Sequence, residues 1–308
     1  MYWLKGLYVG EIYKRKEEIN MLTIFTDTDT DIQPKEAEYY GYKLISMPYI
    51  IDNKEVKPYV DFEEFDYQSF YNTLRKGVLP TTCAISTEAY REYFEPEFEK
   101  GNDILYVHFS AAMSGTFNAM NIVVEELKEK YPERKFYTID TKGITILSLI
   151  IVKEIGELYK SGASINEILA WADKNVDHFA TYFFADTLNF FAKSGRVSNF
   201  SKVMGNLIGV KPIIYMDANG TMTNIGKERG RMTAAKRLIQ YYEELNDEMY
   251  EHTVIIGHSD ALDLAKQLGE MLLTKYPDLK IEYAVVNPTA GSHCGPECIG
   301  IAFYAKHK

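Results

Sequence analysis

The sequence of 308 residues predicts an α/β protein of two α/β domains, the first with a largely parallel sheet flanked by helices and the second with a mixed sheet. Three observations predict it. Short apolar, β-branched runs alternate with segments of helical period through the first half, the signature of β–α–β units. The pattern restarts near Ser164, and the second half carries a tight DANG turn between two β-type runs. The length accommodates two cores.

In order, residues 21–26 (MLTIFT) read as the first buried strand, followed by an Asp/Thr-rich turn. Residues 34–42 read as a helix stopped by Gly41. Two β-type runs, 44–51 and 56–60, flank Asp52-Asn53-Lys54 and suggest a hairpin. Residues 62–76 form a helix closed by Gly77, 82–86 a polar turn and 87–100 a helix. The central strand, 105–109, turns through Ser110, Ser114, Gly115 and Thr116 into a helix whose apolar residues Met120, Val123, Val124 and Leu127 keep helical spacing. A strand follows at 135–139, then a long helix ending near Gly162 and another at 164–176. The remainder reads as strand 181–185, hairpin arms 209–216 and 222–225, helix 231–249, strand 253–257, helix 262–276, and strands 280–286 and 299–304. The division is residues 1–20 as an N-terminal extension, 21–176 as the first domain and 177–308 as the second.

Composition narrows the function classes. A net charge of −10 disfavours nucleic acid and anionic membrane surfaces as partners. Apolar residues at 46% and charged residues at 25% are ordinary for a soluble globular chain. Cys83, Cys294 and Cys298 are too few and odd in number for a disulfide framework, which favours a reducing cytoplasm. The first twenty residues show no apolar signal region, and the run 144–152 is too short to span a bilayer and reads as a buried helix.

The strand-to-helix turn at 110–116 leaves helix-start N–H groups free to meet an anion. Taken alone it also reads as an ordinary cap, with Ser114 or Thr116 satisfying the first turn. Five segments together, however, resemble the DegV family of bacterial fatty-acid-binding proteins. SAAMSGTFNA (110–119) resembles the family's S-x-x-L-S-G-T-Y, and TDTDTDI (26–32) its opening strand and acidic turn. LPTTCAIS (79–86) is similar to its T-S-Q-P-S segment, KSGRVS (193–198) to G-G-R-I-S, and HCGPECIG (293–300) to H-x-G-P-G. The match covers nearly everything after Met21, in the family's order.

That resemblance implies a lipid carrier without its own catalysis, cofactor or metal, whose ligand is a long-chain fatty acid. Thr82, Ser114 and Gly115 match positions that hold the carboxylate with backbone N–H groups. Arg196 and His293 match positions implicated in presenting it to a separate fatty acid kinase subunit for phosphorylation. Cys83, Ala84 and Ile85 stand where the family has Ser, Gln and Pro, and Glu297 replaces the last Gly of H-x-G-P-G. An acidic side chain there is expected to repel an acyl phosphate.

The tail needs an apolar tunnel, for which 144–152 and the aromatics of 182–191 are candidate walls. Each buried methylene contributes about 0.8 kcal/mol, so a dozen would give roughly 10 kcal/mol before ordering costs. A serine esterase or lipase-like hydrolase using Ser114 with His293 as base is the alternative, although no G-x-S-x-G elbow is present. Cys294, Cys298 and His293 are a poor match to a tetrahedral zinc site.

Overall fold

The computed structural model describes residues 22–187, 189–198, 209–248, 250 and 253–307. The expected extension at 1–20, the first residue of the opening strand and the last of the helix expected at 231–249 lie outside these. Four strands, β1 (Leu22–Asp27), β2 (Tyr42–Ile45), β6 (Asp103–His108) and β7 (Phe136–Asp140), form an all-parallel sheet in the order β2-β1-β6-β7. β1 and β6 are buried along most of their length, which is why their sequences are continuous apolar runs rather than alternating ones.

Helices cover this sheet. In α1 (Pro34–Tyr40), Gln33 and Glu36 form a reciprocal cap, Pro34 begins the first turn, and Gly41 ends the helix at φ +83°. α3 (Thr87–Glu99) starts at Ser86, whose hydroxyl accepts the Ala89 N–H, and packs against α4 (Thr116–Lys130). A serine cap also opens α6 (Ile165–Asn175), where Ser164 and Glu167 form a capping box.

Between β2 and α3 the structure departs from the expected pattern. The run 44–51 is not one strand. It breaks at Pro48, which has no N–H for a ladder, while the N–H groups of Ser46 and Met47 turn aside to the Tyr93 and Thr28 hydroxyls. β3 (Tyr49–Ile51) then pairs with β4 (Lys54–Val56) across Asp52 and Asn53, both at positive φ, the twist a tight hairpin needs. The arm expected to reach residue 60 therefore ends at Val56. β5 (Thr81–Thr82), expected as turn, pairs on the other side of β3. The helix expected from 62 begins at Tyr67: Asp66 caps α2 (Tyr67–Arg75) by accepting the Ser69 N–H, and Phe62 and Phe65 pack on neighbouring rings before it.

Seven strands form the mixed sheet. They are β8 (Phe179–Phe184), β9 (Val197–Ser198), β10 (Val210–Met216), β11 (Met222–Arg229), β12 (Thr253–His258), β13 (Lys280–Val285) and β14 (Ile299–Tyr304), in the order β13-β12-β14-β8-β10-β11-β9. β10 and β11 are the arms around DANG. α8 (Arg231–Leu245) and α9 (Leu262–Lys275) build a separate core on one face with Ala234, Leu238, Leu268 and Phe303.

On the opposite face lies α5 (Ile146–Lys160), which touches β8, β12 and β14 and also meets α1, α6 and the turn after β1. Its residues from Ile146 to Val152 are all buried, as the apolar run predicts. One hydrophobic core runs from the parallel sheet through α5 to the mixed sheet. The C-terminal ends of β1 and β6 and the start of α5 thereby meet.

Candidate functional site

A cavity of about 980 Å3, counting its opening, lies where these elements meet. Its floor is apolar. Ile144, Thr145 and Ile146 at the start of α5 contribute one side, and Phe183 and Phe191 another. Residues 147–152 pack in the core instead. Because side chains alternate along β8, Phe183 faces the cavity while Tyr182 and Phe184 face the second core. Leu188 lies outside the described residues.

The mouth is polar and is assembled from four places in the chain. After β6, Phe109 donates its N–H to Asp27, and Ser110 donates its hydroxyl to the Gly220 carbonyl at 2.7 Å, pinning the loop to the DANG turn. A turn of 3-10 helix, Ala111–Met113, leads to Ser114 on the cavity wall. The Ser114 hydroxyl accepts the Thr116 N–H at 3.2 Å, so it also serves as a cap for the first turn of α4. Gly115 occupies the N-cap position and is not on the wall; the space beside its Cα is open. Thr116, like Ser114, is on the wall, its hydroxyl accepting the Ile85 N–H and meeting the Tyr90 hydroxyl.

Thr82 comes from β5 and His293 from α10 (Pro288–Cys294), and they touch: Thr82 Oγ1 lies 2.9 Å from His293 Nε2. The two residues the sequence placed in separate roles form one polar unit. Asn287 caps α10 by accepting the Ala290 N–H. Burial, then the Arg196 charge, lowers the His293 pKa to about 4, so the ring is neutral near pH 7. Arg196 lies between α7 (Asn189–Ser194) and β9, and 199–208 lie outside the described residues. Its side chain reaches the cavity rim and donates to the Ser194 carbonyl at 2.6 Å. Among the described residues, no hydrogen bond joins Ser114 to His293.

The family model described as "Uncharacterised protein, DegV family" matches residues 21–306. The chain belongs to the DegV family. The DegV domain-containing protein CPE0026 of Clostridium perfringens is 33% identical over 287 residues, 92% of this chain and 98% of its own. Two solved DegV structures share the fold. One, concerned with the fatty acid binding of a DegV family protein from Thermus thermophilus, has a TM-score of 0.80 at 20% identity and covers 92% of this chain and 99% of its own. The other, from Eubacterium eligens and loaded with heptadecanoic acid, has a TM-score of 0.79 at 21% identity and covers 92% and 100%.

Against the DegV pattern, the departure at Glu297 has a structural account. Its backbone is left-handed at φ +65°, where glycine would be unstrained. The carboxylate sits between the Arg75 and Arg231 guanidinium groups and is not on the cavity wall. Its charge is therefore compensated, and the expected repulsion of an anion at the mouth loses its basis. Of the other departures, Ile85 is buried under the turn, and Cys83 reaches the wall with its thiol pushed up to about 11, chiefly by burial.

Cys294 and Cys298 line the cavity as free thiols. No group of three or more His, Cys, Asp or Glu among the described residues could hold a metal ion, and no described helix is long and apolar enough to cross a membrane. Sequence reasoning missed Asp29 on the cavity wall; its only trace was the density of acids in TDTDTDI.

Proposed function

We propose that this DegV chain binds one long-chain fatty acid, with its tail along the apolar floor and its carboxylate at the mouth. Thr82, Ser114 and the N–H groups of the turn around Gly115 would take the head. The observation that carries this reading is one cavity joining the Thr82–His293 pair and Ser114 to a floor of Ile144, Ile146 and Phe183. Neutral hydroxyls and helix-start amides can hold a carboxylate without a buried counter-ion, which suits release. Two structural relatives are described by the fatty acid they bind or carry.

The carrier would act in the cytoplasm and present the carboxylate to a partner acyl kinase, performing no catalysis itself. Arg196, permanently charged at the rim, fits the developing acyl phosphate. The change of sheet favours a domain boundary near 176, with the ligand at the junction. Denaturing the recombinant protein and identifying released lipid by mass spectrometry tests the proposal: one long-chain fatty acid per chain is expected. A protein that neither releases nor binds such an acid refutes it.

The hydrolase reading has less behind it. His293 is engaged with Thr82, and a pKa of about 4 makes it a weak general base near neutrality. Turnover of p-nitrophenyl esters that disappears in Ser114→Ala would reverse that judgement.

A further inference from the structure

Asp29 is the polar residue that a plain acyl chain leaves unexplained. It lies in the turn Thr28–Thr30 after β1, on the cavity wall, with 6% of its surface exposed. Its backbone is satisfied: the N–H donates to Asp27 Oδ1 at 3.0 Å, and the carbonyl accepts the Thr145 N–H at 2.8 Å. The turn is pinned, yet Asp29 Oδ1 is fully buried and has no hydrogen-bond partner among the described residues. Buried polar atoms in native structures are nearly always paired, so the exception calls for a reason.

The neighbours show how unusual this is. Asp27 accepts from the Tyr106 hydroxyl and the Phe109 N–H. Asp31 Oδ1 takes both the backbone and side-chain N–H groups of Asn287; its other oxygen is also unpaired, but Asp31 is not on the wall. Two of the wall threonines direct their hydroxyl hydrogens to main-chain carbonyls, Thr181 to Ile301 and Thr289 to Met47. Among the described residues, Asp29 alone both lines the cavity and carries a buried, unpaired side-chain oxygen.

The geometry points to Asp29 as a second anchor in the cavity, one that exchanges hydrogen bonds with a hydroxyl carried along the ligand's chain and so favours hydroxylated long-chain acids over plain ones. This rests on the fatty-acid reading above. Burial and the adjoining Asp27 and Asp31 push the Asp29 carboxyl well above its ordinary range, towards the neutral acid. A neutral carboxyl both donates and accepts, as a hydroxyl does. The ligand's carboxylate is a worse partner: it would bring a further negative charge to a turn of three carboxyls, where no Lys or Arg among the described residues forms an ion pair with Asp29.

The test uses the delipidated full-length chain, titrated with stearic acid and with its monohydroxy isomers, the hydroxyl placed at successive positions. At least one internal isomer should bind about tenfold or more tightly than stearic acid. Asp29→Leu should abolish that preference, and Asp29→Asn, which still donates and accepts, should keep most of it. No preferred isomer in the wild type overturns the inference whatever the variants do, as does a preference that survives in Asp29→Leu. A loss in Asp29→Leu that is equal for stearic acid and every isomer would put the carboxyl at the head or in the fold alone, and also overturns it. Tight stearic acid binding without discrimination leaves the fatty-acid reading standing; failure of every acid to bind removes that reading instead.

Discussion

The mouth of the cavity and its floor are built on opposite principles. At the mouth a few polar atoms are fixed by hydrogen bonds at set distances, as with Thr82 and His293 or Ser114 and the Thr116 N–H. On the floor, Ile144, Ile146, Phe183 and Phe191 offer area without direction. Directional contacts orient a ligand at modest net gain, whereas buried area supplies most of the affinity. The mouth should therefore decide which end of a guest stays outside, and the floor how tightly it is held.

The largest effect that could break this contrast is chain length. Shortening the acid by about six methylenes should weaken binding by on the order of 5 kcal/mol. Titration calorimetry across an acyl series checks it, and affinity indifferent to length would transfer the binding energy to the mouth.

Next in size is a pH effect whose sign at the mouth is opposite to that in the buried turn after β1. Burial raises the Asp31 carboxyl from 3.8 to about 7 despite its bonds from Asn287. A raised folded-state pKa gives stability that is complete below the unfolded value and is lost as pH climbs through the folded one. Asp31→Asn keeps the acceptor for Asn287 without the charge. Between pH 3.8 and about 7, wild type should lose on the order of 1 kcal/mol per pH unit more than this variant. At the mouth His293 is lowered from 6.5 to about 4, so its contribution is present above 6.5 and lost as pH falls through 4. Denaturant unfolding of both proteins at several pH values reads the difference, and parallel pH profiles would sink it.

Smaller changes sharpen the mouth. Thr82→Ala and Ser114→Ala should each weaken fatty-acid binding by about 1 kcal/mol, near tenfold or less, without altering the length dependence. Arg196→Ala should change the dissociation constant by about twofold or less, because among the described residues the exposed side chain bonds only to the Ser194 carbonyl, and yet impair phosphorylation by a partner kinase. Equal loss of binding and phosphorylation would contradict the separate role given to Arg196.

Much of the fold was legible because local chemistry sets it. Gly41, Ser86 and Ser164 mark helix ends through backbone conformation and capping, which depend on adjacent residues alone. The run 44–51 misled because its apolar character outweighed Pro48, although only the proline decides where a ladder ends. Phe62 and Phe65 looked helical for a similar reason: their rings pack in a cluster before the cap at Asp66. The site divides the same way. Ser114 was visible as part of a strand-to-helix turn, but the contact between Thr82 and His293 joins residues 211 apart in sequence, which no local pattern encodes. Asp29 was illegible as a wall residue because acids in a turn ordinarily face water, and only the packing of α5 against that turn buries it.

Gly257 and Gly300 stand opposite each other on β12 and β14, and both lie against Ile146. A methyl group at Gly257 would come within 2.5 Å of the Ile146 side chain and displace it. Ile146 and both glycines line the cavity, so these two bare positions set its depth: adding one carbon there should reduce the longest guest admitted while leaving the entrance untouched.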